Sequence, residues 1–330
     1  MSGSKSGLNN SALRLVNKLI LEADRYGVTV EKTNSGATLI DAGFKAEGGF
    51  LAGEMVVKVC LGGYANVNVI PVQYGDLILP SVFVHTDHPV IATLASQFAG
   101  WRIEVGEFLA AGSGPARILA LEPKDLFEKI KYVEESDSAV LVLETNSKPS
   151  EAVMQQIAAK CKVNLANLFI IYFSSLSLTG ATQFSGRTLE VGLFKLMTLD
   201  LDPWLVNHAW GYAPIVPKFQ SLDEAYERQN NAISCAGTVC CSVNYEDDEK
   251  LRNMVMVSST SASKMFQEAN SLAAKNPRYL EILKDAGLGF HKNDSTISPA
   301  VMIVNNWKTG RSFQAGSLDI EVLKMSLGIS

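Results

Sequence analysis

An arginine and a glutamate three residues apart are the clearest catalytic candidates in this sequence. Arg187 and Glu190 belong to an apolar, helix-like pattern that predicts a helix over residues 187–199, with Ser185 as its N-cap. Residues three apart share one helix face, so the guanidinium can reach the carboxylate. A carboxylate held in this way keeps its charge and orientation, and it can act as a general base in a partly dry site. The same spacing also fits a surface ion pair worth a few tenths of a kcal/mol, roughly, and spacing alone does not choose.

Two loops carry side chains that could bind a ligand. Asp87 and His88 follow an apolar strand predicted over residues 78–84, and we expect them to cap a turn and line a cleft. Residues 112–117, Gly-Ser-Gly-Pro-Ala-Arg, place the Ser113 hydroxyl and the Arg117 guanidinium in a loop of small residues. The backbone amides of such a loop can hold an anion or a carbonyl oxygen. A simple chain reversal is the alternative, and no Lys-Ser/Thr pair follows to make a nucleotide-binding P-loop.

One pair of histidines, His85 and His88, has a spacing that could suit a metal ion. A catalytic zinc site usually has three protein ligands, and the sequence contains no His-Glu-x-x-His motif. Only His208 and His291 remain as further histidines. We therefore expect no metal site.

Composition narrows the class of protein. The chain has 330 residues, of which 47% are apolar and 19% charged, and about 150 residues per domain gives roughly two domains. The net charge of −5, without a Lys/Arg block, disfavours a nucleic-acid partner. No apolar run approaches the roughly 18–20 residues that span a bilayer, and the polar N-terminus does not resemble a signal peptide. Five cysteines without a Cys-x-x-Cys motif predict reduced, mostly buried thiols in a cytoplasmic protein.

Hydrophobic periodicity and turn residues predict the elements that must position these side chains. In the first part they predict a helix over 8–26, a hairpin over 28–41, strands at 55–60, 67–72 and 78–84, and a helix over 89–97. The charged stretch 122–138 suggests a boundary. Beyond it come a strand over 139–144, a helix over 150–161, a strand over 168–173, the helix over 187–199, an extended proline-containing loop over 211–217, a hairpin over 301–315 and a helix over 318–327.

This order of elements predicts a mixed α+β fold. The β-α-β-α alternation after residue 138 predicts a partly parallel sheet with helices on its face. We expect two α and β domains that enclose a cleft, one over residues 1–130 and one over 131–330. The C-terminal hairpin and helix could return to the first of these domains.

Four segments, at residues 86–101, 112–120, 185–195 and 211–217, carry a resemblance to a known family. In this order and at these separations they resemble the methenyltetrahydromethanopterin cyclohydrolases, and the resemblance extends from about residue 8 to about residue 325. The sequence departs from the family at three places. Asn231 stands where an aspartate is usual, Tyr212 stands where a small residue is expected, and Tyr-Gly and Pro-Phe residues are missing around positions 265–266.

The resemblance implies a hydrolase without metal or cofactor. Members interconvert 5,10-methenyltetrahydromethanopterin and its 5-formyl derivative by adding water, in methanogenesis or in methylotrophic formaldehyde oxidation. The resemblance also implies two domains around a cleft and commonly a homotrimer. It assigns the essential Arg and Glu to Arg187 and Glu190, and its motifs suggest binding roles for Asp87, His88, Ser113 and Arg117.

The chemistry of such a substrate suits the Arg–Glu pair. The methenyl carbon belongs to a cationic amidinium group, so Glu190 is expected to take a proton from water and pass it to the leaving arylamine nitrogen. Arg187 would orient Glu190 and keep it charged. Three other interpretations stay open: a non-catalytic pterin-binding homologue, a metal-dependent hydrolase using His85 and His88, and a cyclohydrolase that prefers tetrahydrofolate.

Overall fold

In the part of the chain that the structure describes, the strands form two six-stranded sheets. A computed structural model describes residues 7–217, 219–262 and 297–329. The first sheet, sheet A, has the strand order β1 (Thr29–Lys32), β2 (Thr38–Asp41), β8 (Leu168–Phe173), β7 (Ala139–Thr145), β6 (Phe108–Ser113) and β5 (Trp101–Val105). The second, sheet B, has the order β12 (Arg311–Gly316), β11 (Val301–Asn306), β10 (Thr238–Val243), β9 (Val206–Pro214), β4 (Leu77–Thr86) and β3 (Asn66–Tyr74).

Helices cover these sheets. The α-helices among the described residues are α1 (Leu8–Leu21), α2 (Ala23–Tyr26), α3 (Phe50–Cys60), α4 (Ala116–Ala120), α5 (Lys124–Ile130), α6 (Glu151–Cys161), α7 (Leu178–Ser185), α8 (Thr188–Thr198), α9 (Leu222–Ala236), α10 (Asp248–Met256) and α11 (Ile320–Leu327). A π-helix spans Val90–Gln97, and short 3₁₀ turns lie at Leu165–Asn167, Pro203–Leu205 and Thr260–Ala262.

Sheet A has a parallel centre. Strands β2, β8 and β7 run parallel, and β6 runs antiparallel to β7. Every residue of β7 is buried, as expected for a parallel strand that is covered on both faces. Val140 and Val142 pack in one cluster with α1 and α3, and Leu141 and Leu143 pack in another with α6. The predicted partly parallel sheet is therefore confirmed.

Sheet B is mostly antiparallel, with one parallel pair formed by β10 and β11. Helix α8 packs on β9 and β10, and its Leu189 and Leu193 belong to the same core cluster as Val239 of β10. Helix α11 brings Leu323 against Tyr74 of β3. The two sheets and their helices confirm the mixed α+β class.

Several local predictions were wrong. Residues 55–60, predicted as a strand, are the second half of α3, because a short apolar run fits a buried helix as well as a strand. The helix expected over residues 8–26 is interrupted at Glu22 and forms α1 and α2. The loop expected over residues 211–217 begins as the last part of β9, which ends at Pro214.

The two sheets do not follow the predicted division of the chain at residue 130. Sheet A contains β1, β2, β5 and β6 from before that point and β7 and β8 from after it. Sheet B contains β3 and β4 from before it and β9 to β12 from after it. The chain thus crosses between the sheets, and the domain boundary stays a prediction.

The cysteines and the helices bear on two predictions about the chain's environment. All five cysteines are buried and free, as expected for reduced thiols. Within residues 7–217, 219–262 and 297–329, none of the helices combines the length and apolar character that crossing a membrane requires.

Candidate active site

Arg187 and Glu190 form a buried ion pair at the start of α8. The guanidinium donates two hydrogen bonds to the carboxylate, from Nε to Oε2 at 3.2 Å and from Nη2 to Oε1 at 2.9 Å. Only 12% of the Arg187 side chain and 3% of the Glu190 side chain are exposed. The predicted contact is confirmed, and the alternative of a solvated surface pair is wrong.

The joint between α7 and α8, residues 185–187, holds this pair in place. Ser185, predicted as the N-cap of α8, instead ends α7, and Arg187 itself is the N-cap residue. The Ser185 hydroxyl lies 2.7 Å from the Pro214 carbonyl at the end of β9 and donates to it. At Gly186 a Cβ atom would lie 2.6 Å from the Val57 side chain of α3, so only glycine allows α3 to pack this closely. The joint is therefore fixed to both sheet B and α3.

Electrostatics keeps Arg187 charged. Burial by itself would lower the pKa of Arg187, but attraction to Glu190 and the hydrogen bonds between them raise that pKa above its ordinary value. The positive end of the α8 dipole also favours a carboxylate in the first helical turn. A bidentate bond of this kind restricts rotation of the carboxylate, so Glu190 presents its two oxygens in a fixed orientation.

A second carboxyl group, Glu144, lies within range of the Arg187 charge. Glu144 is near the C-terminal end of β7, and Ser175 follows the C-terminal end of the neighbouring parallel strand β8. The Ser175 hydroxyl donates a short hydrogen bond to Glu144 Oε1. Burial raises the pKa of Glu144, while the Ser175 bond and the Arg187 charge oppose that shift. Open sheets bind ligands at this edge, beyond the carboxyl ends of parallel strands.

Helix α9 adds two polar groups to this edge of sheet A. The Tyr226 hydroxyl lies 3.4 Å from the Ser175 hydroxyl, and burial together with the nearby Glu144 raises the pKa of Tyr226 to about 12. The Gln229 amide donates to the Ser175 carbonyl at 3.0 Å. Its own Oε1 is buried without a partner among the described residues. Sequence reasoning missed this whole group, which the ends of β7 and β8 bring together.

Two more buried amides lie close to the joint. Gln97 Nε2 donates to the Gly186 carbonyl at 3.0 Å, and Gln183 Nε2 lies 3.8 Å from Cys60 Sγ. In the described part of the chain, the Oε1 atoms of both side chains are buried and unpaired. Burial raises the pKa of Cys60 to about 12, so this thiol stays neutral and is a poor nucleophile.

Arg117 lies near the ion pair but makes contacts within the protein. The charges of Glu190 and Arg187 both act on it, and burial lowers its pKa to about 9. Its Nη1 donates to three carbonyls of the π-helix at 3.1–3.2 Å, and its Nε donates to the Glu122 carbonyl at 2.9 Å. The guanidinium is also flanked by the rings of Phe98 and Phe127. These contacts indicate a structural role, and a role for Arg117 in substrate binding stays a prediction.

The other predicted binding residues lie at strand ends, as expected. Ser113 is buried at the end of β6. Asp87 follows β4 with 79% of its side chain exposed, and its Oδ1 lies 2.7 Å from His208 Nδ1. The His88 ring contacts the Tyr64 ring edge-on at 5.3 Å. None of the contacts among the described residues joins Asp87 or His88 to the Arg187–Glu190 pair, so their place in a shared cleft stays a prediction.

The expected absence of a metal site stays a prediction. Across the three described segments, no group of three or more His, Cys, Asp or Glu side chains is arranged to hold a metal ion. The predicted pair His85 and His88 lies on and just beyond β4, and His291 falls outside the described residues.

Comparison with known proteins places this chain in a family. The sequence model of the family described as Cyclohydrolase (MCH) matches residues 7–327. The chain belongs to this family. It is 35% identical over 325 residues to the methenyltetrahydromethanopterin cyclohydrolase of Methanocaldococcus jannaschii, covering 97% of this chain and 98% of the relative. The enzyme of the same name from Methanothermobacter marburgensis is 36% identical over 329 residues, covering 98% and 99%. That from Methanobrevibacter smithii is 34% identical over 330 residues, covering 98% of both chains.

At two of the three places where the sequence departs from this cyclohydrolase family, the structure shows what the residue contacts. Asn231 donates from Nδ2 to the Ser326 hydroxyl at 2.9 Å and so links α9 to α11. The Tyr212 ring stacks parallel to that of Trp210 in β9, with centroids 6.2 Å apart. The third departure, around residues 265–266, lies outside the described residues.

Proposed function

We propose that this protein is a methenyltetrahydromethanopterin cyclohydrolase, which adds water to the methenyl bridge and yields the 5-formyl derivative. Membership of the cyclohydrolase family supports the reaction class. The observation that carries the proposal is the buried, bidentate Arg187–Glu190 pair, because a merely pterin-binding homologue has no use for an oriented base. The tetrahydrofolate-preferring and metal-dependent alternatives are not favoured by the relatives that the chain matches.

The pair supplies what hydrolysis of an amidinium ion needs. The methenyl carbon already carries positive character, so it is attacked by water without further activation by a metal. Glu190 attracts the cation and takes a proton from the attacking water as general base. Arg187 holds both carboxylate oxygens, so the base meets the water in one orientation. In the simplest scheme, Glu190 returns its proton to the arylamine nitrogen as the carbon–nitrogen bond breaks.

We further propose that no metal or cofactor takes part, and that Asp87, His88 and Ser113 contact the pterin. The electrophile and the base are both organic groups, so the reaction needs only water and proton transfer. The position of these three residues at strand ends supports the binding roles, since loops at strand ends commonly carry binding groups on a rigid scaffold.

A direct assay tests the function. Loss of the methenyl absorbance on addition of the purified protein measures the hydrolysis, and the tetrahydromethanopterin and tetrahydrofolate substrates are compared side by side. We expect the tetrahydromethanopterin substrate to be preferred. Absence of turnover with both substrates would refute the proposal, and a preference for the folate would reassign the substrate.

The wider setting is also a proposal. We propose a cytoplasmic homotrimer that serves one-carbon metabolism, in methanogenesis or in methylotrophic formaldehyde oxidation, as the resemblance implies. Large exposed apolar side chains, such as Ile78 with 73% and Trp307 with 60% exposure, support association between copies. Light scattering should give three times the chain mass of 35.7 kDa, and a monomer at micromolar concentration would contradict it.

A further inference from the structure

Gln97, the last residue of the π-helix, reaches the peptide unit that precedes Arg187. Its side chain is fully buried, and its Nε2 donates to the Gly186 carbonyl at 3.0 Å. The N–H of the same peptide unit, which belongs to Arg187, donates to the Phe184 carbonyl at 3.0 Å. Both polar groups of this peptide unit are therefore held. We propose that Gln97 is a positioning residue, which fixes the joint so that Arg187 can orient Glu190 for catalysis.

The Gly186 carbonyl lies between two helices and needs a donor from elsewhere. Helix α7 ends one residue earlier, and in α8 the N–H of Val191 donates to the carbonyl of Arg187, one residue later. The last carbonyls of a helix have no partner within that helix, and a buried carbonyl without a partner is unfavourable. Because a carbonyl only accepts, the side chain that satisfies it must bring a donor, and Gln97 brings its amide nitrogen.

The other end of the Gln97 amide indicates that this donor serves a purpose. Its Oε1 is buried and has no hydrogen-bond partner within the described part of the chain. An unpaired buried oxygen is unfavourable, and a methionine of similar length would fill the space without one. The hydrogen bond to Gly186 must offset this loss. A buried polar group that departs from the packing rules in this way is expected at a functional site.

The surroundings of Gln97 hold its own backbone in place. On one side, the Ser96 hydroxyl donates to the carbonyl of the last residue of α3 at 2.6 Å. On the other side, the Phe98 ring lies 4.9 Å from the Phe194 ring of α8. Arg117 Nη1 donates to three consecutive carbonyls at the end of the π-helix. The contacts of Arg117 thus support the residue that holds the joint, and π-helical segments are frequent at functional sites.

Loss of the hydrogen bond would act on the ion pair through the backbone. A rotation of the peptide unit between Gly186 and Arg187 would displace the guanidinium, which holds both oxygens of Glu190. Displacement of a reacting group by about 1 Å can lower a rate by about 100-fold. Because Gln97 is fully buried, it does not touch the substrate, and its effect belongs to kcat. This inference rests on the proposed function, in which Glu190 is the base.

The test replaces Gln97 with methionine, which keeps the length of the side chain but cannot donate. Hydrolysis of the methenyl substrate by the wild-type protein is measured first, because its absence would refute the proposed function and not this inference. In Gln97→Met we expect kcat to fall by about 10- to 100-fold while KM stays nearly unchanged. Near-normal kcat, or a loss of activity that resides in KM, would overturn the inference.

A double variant separates positioning of the ion pair from general damage to the fold. If Gln97 acts through Glu190, Gln97→Met should lower kcat much less in the Glu190→Gln background than in the wild type. Equal fold-losses in the two backgrounds would overturn the inference. Gln73→Met is the matched control, because Gln73 Nε2 also donates to a glycine carbonyl, that of Gly75 in the β3–β4 turn, at 3.0 Å. This control should keep its kcat, and an equal loss there would overturn the inference.

Gln97→Asn decides the matter where Gln97→Met does not fold. Asparagine keeps the amide but is shorter by one methylene group, which withdraws the donor from the Gly186 carbonyl. We expect a lower kcat and faster deuterium exchange of the Arg187 N–H, because its peptide unit is then held from one side only. Mass spectrometry of the peptide that contains Arg187 measures this exchange. Unchanged kcat or unchanged exchange in Gln97→Asn would refute the positioning role.

Discussion

Replacing Glu190 with glutamine tests the proposed base most directly. Glutamine keeps the size of the side chain and one acceptor oxygen, but it cannot take a proton. General-base assistance contributes about 10²- to 10⁴-fold, so kcat should fall by at least about 100-fold. Substrate binding should weaken much less, by about 1 kcal/mol, because only the attraction between one carboxylate and the cation is lost.

The same change has a cost in stability that follows from the burial of the pair. With 12% of Arg187 and 3% of Glu190 exposed, the guanidinium in Glu190→Gln loses a counter-charge that solvent cannot replace. Removing one partner of a buried ion pair lowers the free energy of unfolding by about 3–5 kcal/mol. Because the amide oxygen of glutamine can still accept a hydrogen bond from Arg187, we expect a loss near the lower end of this range. Arg187→Ala should also lower kcat, because Glu190 is then neither oriented nor paired. The double variant should be far from additive, since the two side chains act as a unit.

The assay combines steady-state kinetics, ligand affinity and thermal unfolding for both single variants and the double. Glu54→Gln removes a partly exposed helical ion pair of the same chemistry and should leave kcat unchanged. A Glu190→Gln enzyme with near-normal kcat would show that the base lies elsewhere, with Asp87 as the next residue to test. Additive effects of Glu190→Gln and Arg187→Ala would refute the coupling between the two residues.

Three further predictions follow from the site and its supports. Activity should survive exhaustive treatment with EDTA, and loss of turnover restored by added metal would overturn the metal-free scheme. Arg117→Met should lower the free energy of unfolding by about 3 kcal/mol or more, because four backbone carbonyls lose their buried donor. A raised KM with unchanged thermal stability would instead assign Arg117 to substrate binding. At Gly180 a Cβ atom would lie 2.4 Å from the Ser174 carbonyl oxygen, so Gly180→Ala should shift the loop that carries Ser175. We expect a loss of about 1–3 kcal/mol in stability and a lower kcat, and unchanged unfolding and turnover would show that this close contact is not needed.

Local features of this fold could be predicted because they depend on short stretches of sequence. The spacing of Arg187 and Glu190 fixes their contact wherever a helix forms, and the structure has the helix there. The strands β7 and β8 follow from continuous apolar runs between turn residues. Their parallel pairing follows from the helix between them, since parallel neighbours need a crossover connection.

What could not be predicted depends on which parts of the chain meet. Glu144 and Ser175 are 31 residues apart and become partners only through the register of β7 against β8. Tyr226 and Gln229 reach the same place on α9, a helix that sequence reasoning did not identify. Arginine is a residue type that often binds ligands, but the Arg117 guanidinium donates to carbonyls of the π-helix in the fold. A guanidinium is equally suited to either use, so its role is decided by its neighbours.

In the proposed mechanism, the arrangement of charges explains how one ion pair can drive a complete hydrolytic cycle. Before the reaction, Arg187 and Glu190 cancel and the substrate carries the positive charge. When Glu190 takes the proton from water, the substrate becomes neutral and the buried Arg187 is left without its counter-charge. That state is unfavourable in a poorly solvated site. Passing the proton on restores the ion pair and therefore lowers the free energy. Because the formyl product is neutral, it gains nothing from Glu190 electrostatically, and the recovered carboxylate favours the next cationic substrate over the product.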